Sequence, residues 1–175
     1  MESREIAIEK TKLLSFTYVL PAVAFAIPLL VSGPQILTGT LVNSFLFLVV
    51  QRKFSRRYFM MVAILPSIGA ITHGVLFGPF TPFLLYFLPF IWLGNLTLIM
   101  AFCLLEKPFE KPIAILTSSL LKSLFLYAFA FLFVNLRIVP KIFLTSMGII
   151  QFLTAILGGI LAISISRFLP SFHGR

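Results

Sequence analysis

Six apolar runs, at residues 13–31, 36–50, 59–77, 83–105, 113–134 and 142–166, follow one another along this chain with gaps too short to hold a soluble domain. Crossing about 30 Å of hydrocarbon takes roughly 20 apolar residues. Backbone in lipid must also satisfy its own hydrogen bonds, which runs of this kind do by coiling into helices. The pattern therefore predicts an all-α integral membrane protein, a six-transmembrane-helix bundle forming a single domain over residues 1–175. Composition agrees: 59% of residues are hydrophobic and 11% charged, where a soluble domain is about a quarter charged. The second run is short. It either crosses a locally thinned bilayer, with Gly33, Pro34 and Phe54 at the interfaces, or re-enters from the side it left. The first run contains cleavage-like Ala22-Val23-Ala24, but Glu2, Glu5 and Glu9 spoil a cationic leader, so it is expected as a span.

Cationic residues sort almost entirely to one side of these runs. Eleven of the fourteen Lys and Arg fall before span one, after span six, or in the gaps following spans two and four. Two, Arg137 and Lys141, fall in the gap between spans five and six, and Lys122 alone lies within a span. By the positive-inside rule both termini are cytoplasmic, in the plasma membrane of a cell. This placement accounts for the net charge of +9 without invoking nucleic acid. The run containing Arg52, Lys53, Arg56 and Arg57 either meets anionic lipid headgroups, at about 1 kcal/mol per basic residue, or simply orients the chain.

What the chain lacks narrows its chemistry. There is no Asp, and all five Glu (Glu2, Glu5, Glu9, Glu106, Glu110) belong to the cytoplasmic side. Proton relays, cation-coupled transport and hard-cation sites rely on buried carboxylates, so those classes are disfavoured. A Ser-His-Asp triad lacks its acid, HExxH is absent, and His73 and His173 belong near opposite faces. One cysteine, Cys103, excludes disulfides within the chain and thiolate clusters. No phosphate-binding loop of the GxxxxGK[ST] type occurs, so ATP-driven work would need a partner. The reading is a non-enzyme without metal or other cofactor.

The polar groups that remain converge on one depth. An ionisable side chain near the centre of a spanning helix costs about 2.5 to 3.5 kcal/mol on the insertion scale, so something should offset Lys122. Counting about 1.5 Å per residue from the span ends places Asn43, Asn95, Lys122 and Gln151 in the middle third of spans two, four, five and six. Ser118 and Ser119 share a helical face with Lys122, and Thr154 shares one with Gln151. Two readings fit: a polar-lined cavity for a solute, or interhelical hydrogen bonds with Lys122 snorkelling or meeting backbone carbonyls. Gln35, Thr38, Thr40, Thr72, His73, Arg137 and Lys141 cluster at the expected outer mouth. Cations without acidic side chains suit a neutral or anionic small-molecule ligand.

Small residues mark close helix contacts. Ala22 and Ala26 form AxxxA on span one, while Thr154, Gly158, Ala162 and Ser166 repeat every four residues on span six, beside Ala155 and Gly159. Such faces either pack within the chain or dock another membrane subunit. Pro21, Pro28, Pro66 and Pro89 interrupt spans one, three and four, and Gly78 to Pro82 closes an outer turn. Kinks of this kind expose carbonyls that can line a cavity.

Six short spans in under two hundred residues, both ends inside and an AxxxA on the first helix resemble the substrate-binding membrane subunits of energy-coupling factor transporters. Two segments resemble small prokaryotic proteins grouped with that family: GPQILTGTLVN from Gly33 to Asn43, and PFIWLGN from Pro89 to Asn95. The resemblance implies a subunit that captures a vitamin-like micronutrient outside a prokaryotic cell and hands it inward. It would topple in the membrane while a transmembrane coupling subunit and two ATPase subunits supply the work. Ala22 and Ala26 would then contact the coupling subunit. The histidine-bearing amino terminus associated with nickel or cobalt capture is absent, so a metal is not the expected substrate. Asn43, Asn95, Lys122 and Gln151 would hold the ligand, with Thr38 and His73 near its entrance. The alternative is a non-catalytic scaffold or accessory subunit of a larger membrane complex, with the same residues fastening helices together.

Overall fold

The computed structural model describes residues 19–31, 34–51, 56–73 and 78–168, with the side chains of Arg56, Arg57, His73, Pro79 and Thr81 outside the description. All regular structure among them is helical: α1 (Val19–Leu30), α2 (Gln35–Gln51), α3 (Arg56–His73), α4 (Leu84–Leu105), α5 (Lys111–Asn135), α6 (Ile142–Met147) and α7 (Ile149–Ser166). A 3-10 turn, Gly78–Phe83, makes the proline-rich entry to α4. Each of the six apolar runs carries a helix, and the sixth is divided at Gly148. Three segments are long and apolar enough to cross a membrane: Leu84–Leu105, Lys111–Asn135 and Ile142–Ser166, with mean hydropathies of 2.0, 1.7 and 2.1. Val19–Leu30, Gln35–Gln51 and Tyr58–Thr72 are shorter apolar helices.

The second run does not turn back on itself. Its 17 residues form one helix, about 25 Å long at ~1.5 Å per residue. Asn43, Ser44, Leu46, Phe47, Val49 and Val50 are buried along it, because α2 packs against α3, α4 and α7. A helix sheathed by neighbours answers to their packing more than to the thickness of the surrounding lipid.

Glycine permits the tightest of these contacts. A Cβ on Gly158 of α7 would lie 2.7 Å from both the Asn43 Cβ and the Ser44 backbone nitrogen, and one on Gly39 would lie 3.1 Å from Thr154 Cγ2. On the neighbouring turn face, Gly159 sits against Ile115 of α5, and Gly69 of α3 sits against the Phe25 carbonyl of α1. The small-residue face of the last span is thus spent inside the chain: Thr154, Ala155, Gly158, Gly159 and Ala162 are all buried. Such backbone approach takes the place of the hydrophobic drive that lipid does not supply.

Two apolar clusters form the ends of the core. One, around Leu46, Phe47, Val62, Leu98, Phe102 and Ile115, lies toward the end that bears the α4–α5 connection. Its centre is an edge-to-face pair, Phe47 and Phe102, with ring centroids 4.9 Å apart. The other joins Leu84, Phe87, Leu126, Phe143 and Met147 at the end bearing the α5–α6 connection, where the Phe87 and Phe143 rings stack at 5.1 Å. Between the two lies a polar layer.

The turn after α5 has an unusual residue in it. Ile138 N–H donates to the Phe133 carbonyl at 2.9 Å and Arg137 N–H to the Val134 carbonyl at 3.0 Å, the double closure of a Schellman cap. That cap places its next residue in the left-handed region, normally as glycine. Here the residue is Arg137, at φ 57°.

Candidate functional site

Lys122 is 2% exposed at the middle of α5. It neither snorkels nor meets backbone carbonyls. Its Nζ donates to Asn43 Oδ1 of α2 at 2.6 Å and to Asn95 Oδ1 of α4 at 2.8 Å. Both amides are themselves almost fully buried, at 1% and 2% exposed. Having given their oxygens to the lysine, they turn their nitrogens outward from it: Asn43 Nδ2 donates to Thr154 Oγ1 of α7 at 3.2 Å, and Asn95 Nδ2 to the Ala63 carbonyl of α3 at 2.9 Å. Thr154 Oγ1 continues the chain to the Gln151 carbonyl at 3.1 Å. One connected set of bonds therefore joins α3, α4, α5, α2 and α7.

The energetics close without a counter-ion. Hydrogen bonds to a charged group contribute about 1.5 to 3 kcal/mol each. Two of them match the ~2.5 to 3.5 kcal/mol insertion cost of a central lysine. The burial also uses local backbone features. Pro66 in α3 lacks the N–H that would have met the Val62 carbonyl, and the adjacent Ala63 carbonyl accepts from Asn95. Gly158 lets α7 approach closely enough for Thr154 to reach Asn43.

A partly open cavity of about 100 Å³ begins at this layer, touching Asn43, Asn95, Lys122 and Gln151. It runs toward the end of the bundle where α2 and α4 begin, past Thr38 and Leu88 to Gln35 and Leu84. Its walls are otherwise apolar, including Val42, Ile71, Ile91 and Met147. All four mid-depth residues expected from the sequence thus share one chamber. Their parts differ, however: Asn43, Asn95 and Lys122 are bonded to each other, whereas the Gln151 side chain faces the cavity with no hydrogen bond to a described residue. Thr38 also lines the chamber, with its hydroxyl donating to the Val31 carbonyl at 2.9 Å. The His73 side chain, and the Arg52 to Arg57 basic side chains, lie outside the described residues. Ala22 is exposed and Ala26 half-buried on α1.

Ser118 and Ser119 share the buried face of Lys122 but do not reach the chamber; Ser118 Oγ donates to the Ile115 carbonyl at 3.1 Å. A residue with no distinguishing sequence signal does reach it. Ser67 lines the cavity, is 7% exposed, and its hydroxyl has no partner among the described residues. Its position directly after Pro66 is the one clue available beforehand.

The helix break at Gly148 also belongs to the site. Gly148 N–H still donates to the Leu144 carbonyl at 3.1 Å and Phe152 N–H to the Gly148 carbonyl at 3.1 Å. The Ser146 carbonyl instead receives Gln35 Nε2 of α2 at 3.1 Å. Met147 and Gln151, on either side of the break, both line the chamber. A side chain at Gly148 would meet the Leu144 carbonyl at 2.7 Å and the Tyr127 ring at 2.9 Å, so the break requires glycine. No family model, curated protein or solved structure matches this chain.

Proposed function

We propose that the chain is the substrate-binding membrane subunit of a prokaryotic micronutrient uptake transporter, energised by partner ATPases through a transmembrane coupling subunit. Its ligand is a vitamin-like neutral or anionic small molecule that enters from outside and rests on the mid-depth polar layer. The observation that carries this reading is the chamber itself. A fastening role for Lys122, Asn43 and Asn95 needs no empty space beside them, whereas a pocket with apolar walls and a few convergent polar groups, reaching all four mid-depth residues, is what a small-molecule site requires. On this reading Ala22, exposed on α1, and the half-buried Ala26 meet the coupling subunit, and the basic run at Arg52, Lys53, Arg56 and Arg57, whose side chains lie outside the described residues, meets anionic lipid on the cytoplasmic face.

A second reading, a non-catalytic scaffold of a larger membrane complex, is favoured by one specific feature: the direct pairing of Lys122 with two asparagines on two other helices. Purification from native membranes separates the two. Uptake predicts a coupling subunit, ATPases and a stoichiometric small molecule in the eluate; a complex of other composition with no small molecule would establish the scaffold.

A further inference from the structure

The bonds already made around the chamber show what its ligand must bring. Asn43 and Asn95 have committed their carbonyl oxygens to Lys122. Thr154 Oγ1 accepts from Asn43 and donates to the Gln151 carbonyl, which uses its hydrogen. What remains is one group that can only donate, the third N–H of the Lys122 ammonium, beside two that can donate or accept, the amide of Gln151 and the hydroxyl of Ser67, which is buried at the wall without a partner among the described residues. No described residue of the chamber is acidic. The start of α7 adds to the same sign, since Gln151 is in its first turn and the amino-terminal end of a helix carries partial positive charge.

Volume sets the other limit. About 100 Å³ is less than the ~150 Å³ cavity that holds benzene, so the chamber encloses a short alkyl body against its apolar walls, and a ring must extend into its open part. One buried ammonium balances one negative charge, so a phosphate dianion would leave charge uncompensated.

On the uptake reading, we infer that the ligand is a compact monocarboxylate, its carboxylate seated in the polar layer against Lys122, Ser67 and Gln151 and its apolar body directed toward the mouth. The test titrates the full chain, in nanodiscs of zwitterionic lipid, with butyrate and benzoate, with their neutral amides butyramide and benzamide, with inorganic phosphate and with decanoate, followed by calorimetry. At least one short carboxylate binds, and its amide binds about tenfold to a hundredfold more weakly, the value of a charge-assisted hydrogen bond. Lys122→Met reduces carboxylate affinity to that of the amide. Ser67→Ala, which leaves the network between helices intact, weakens the carboxylate by roughly two- to tenfold, the range for a neutral hydrogen bond.

Equal binding of acid and amide, preference for phosphate, or binding by neither carboxylate overturns the inference. Tighter binding of decanoate overturns its size limit and identifies a membrane fatty acid as the source of the carboxylate. A neutral molecule recovered from native membranes with the ATPases would remove the carboxylate and leave the uptake reading standing.

Discussion

Lys122 is the residue at which stability and function pull apart. Asn43→Leu or Asn95→Leu leaves a buried ammonium with one acceptor fewer, which costs about 1.5 to 3 kcal/mol. Lys122→Met recovers the ~2.5 to 3.5 kcal/mol insertion cost of the charge but leaves the buried Asn43 and Asn95 oxygens without their donor, at about 1 to 3 kcal/mol each, and Asn95→Leu in the same chain removes one of those orphaned acceptors. Combining Lys122→Met with Asn95→Leu should therefore be milder than Asn95→Leu alone, a non-additivity that a double-mutant cycle of detergent-denaturation measurements reads directly. Additive penalties would show that the lysine and the amide are not partners. Arg137 gives a second residue-scale expectation. Replacing it with glycine relieves a left-handed conformation costing an L-residue about 1 kcal/mol, so Arg137→Gly should raise the unfolding midpoint, while a drop would mean the side chain makes a compensating contact.

At the scale of the elements, α2 and α7 can make close backbone contact because Gly158 allows it. Gly158→Ala would force its methyl to 2.7 Å from the backbone and Cβ of α2, whereas Gly39→Ala meets Thr154 Cγ2 at 3.1 Å, a side-chain atom that can give. Overpacking of the first kind costs about 1 to 3 kcal/mol. The Gly158 variant should be the less stable of the two and should also weaken ligand binding, because α7 carries Thr154 and Gln151. Equal stability would place the tight contact elsewhere.

The helices were legible from the sequence because apolar runs bounded by charges are unambiguous in lipid; the expected 83–105 and 113–134 become Leu84–Leu105 and Lys111–Asn135. Depth was legible too, since a fixed rise per residue brings Asn43, Asn95 and Lys122 level. Bonding was not. Whether a mid-span lysine meets a carbonyl, the interface or an amide depends on helix rotation and partner choice, which no single helix encodes. The break at Gly148 was equally hidden, being a lone glycine in a continuous apolar run, and Ser67 looked like any helical serine.

For the molecule as a whole, the polar layer divides a core whose two apolar halves are unlike. On one side Phe47 and Phe102 close the bundle; on the other the cavity extends past Leu88 to Gln35. A site sealed on one side and open on the other suits capture from a single face. The topology expected from the positive-inside rule, with both termini cytoplasmic, would make that face the exterior. Impermeant thiol reagents check the assignment: with Cys103 replaced by serine, Lys141→Cys should label in intact cells and Lys107→Cys only after permeabilisation. The reverse pattern would invert the topology and turn the mouth inward.

The central claim is that Lys122 and its neighbours face a chamber that holds a solute, and native mass spectrometry of the wild-type chain beside Lys122→Met tests it most directly. The account predicts a small-molecule adduct on the wild type that the variant, still folded and inserted, has lost. An identical adduct on both proteins, or an empty wild type recovered intact from its native membrane, would contradict it.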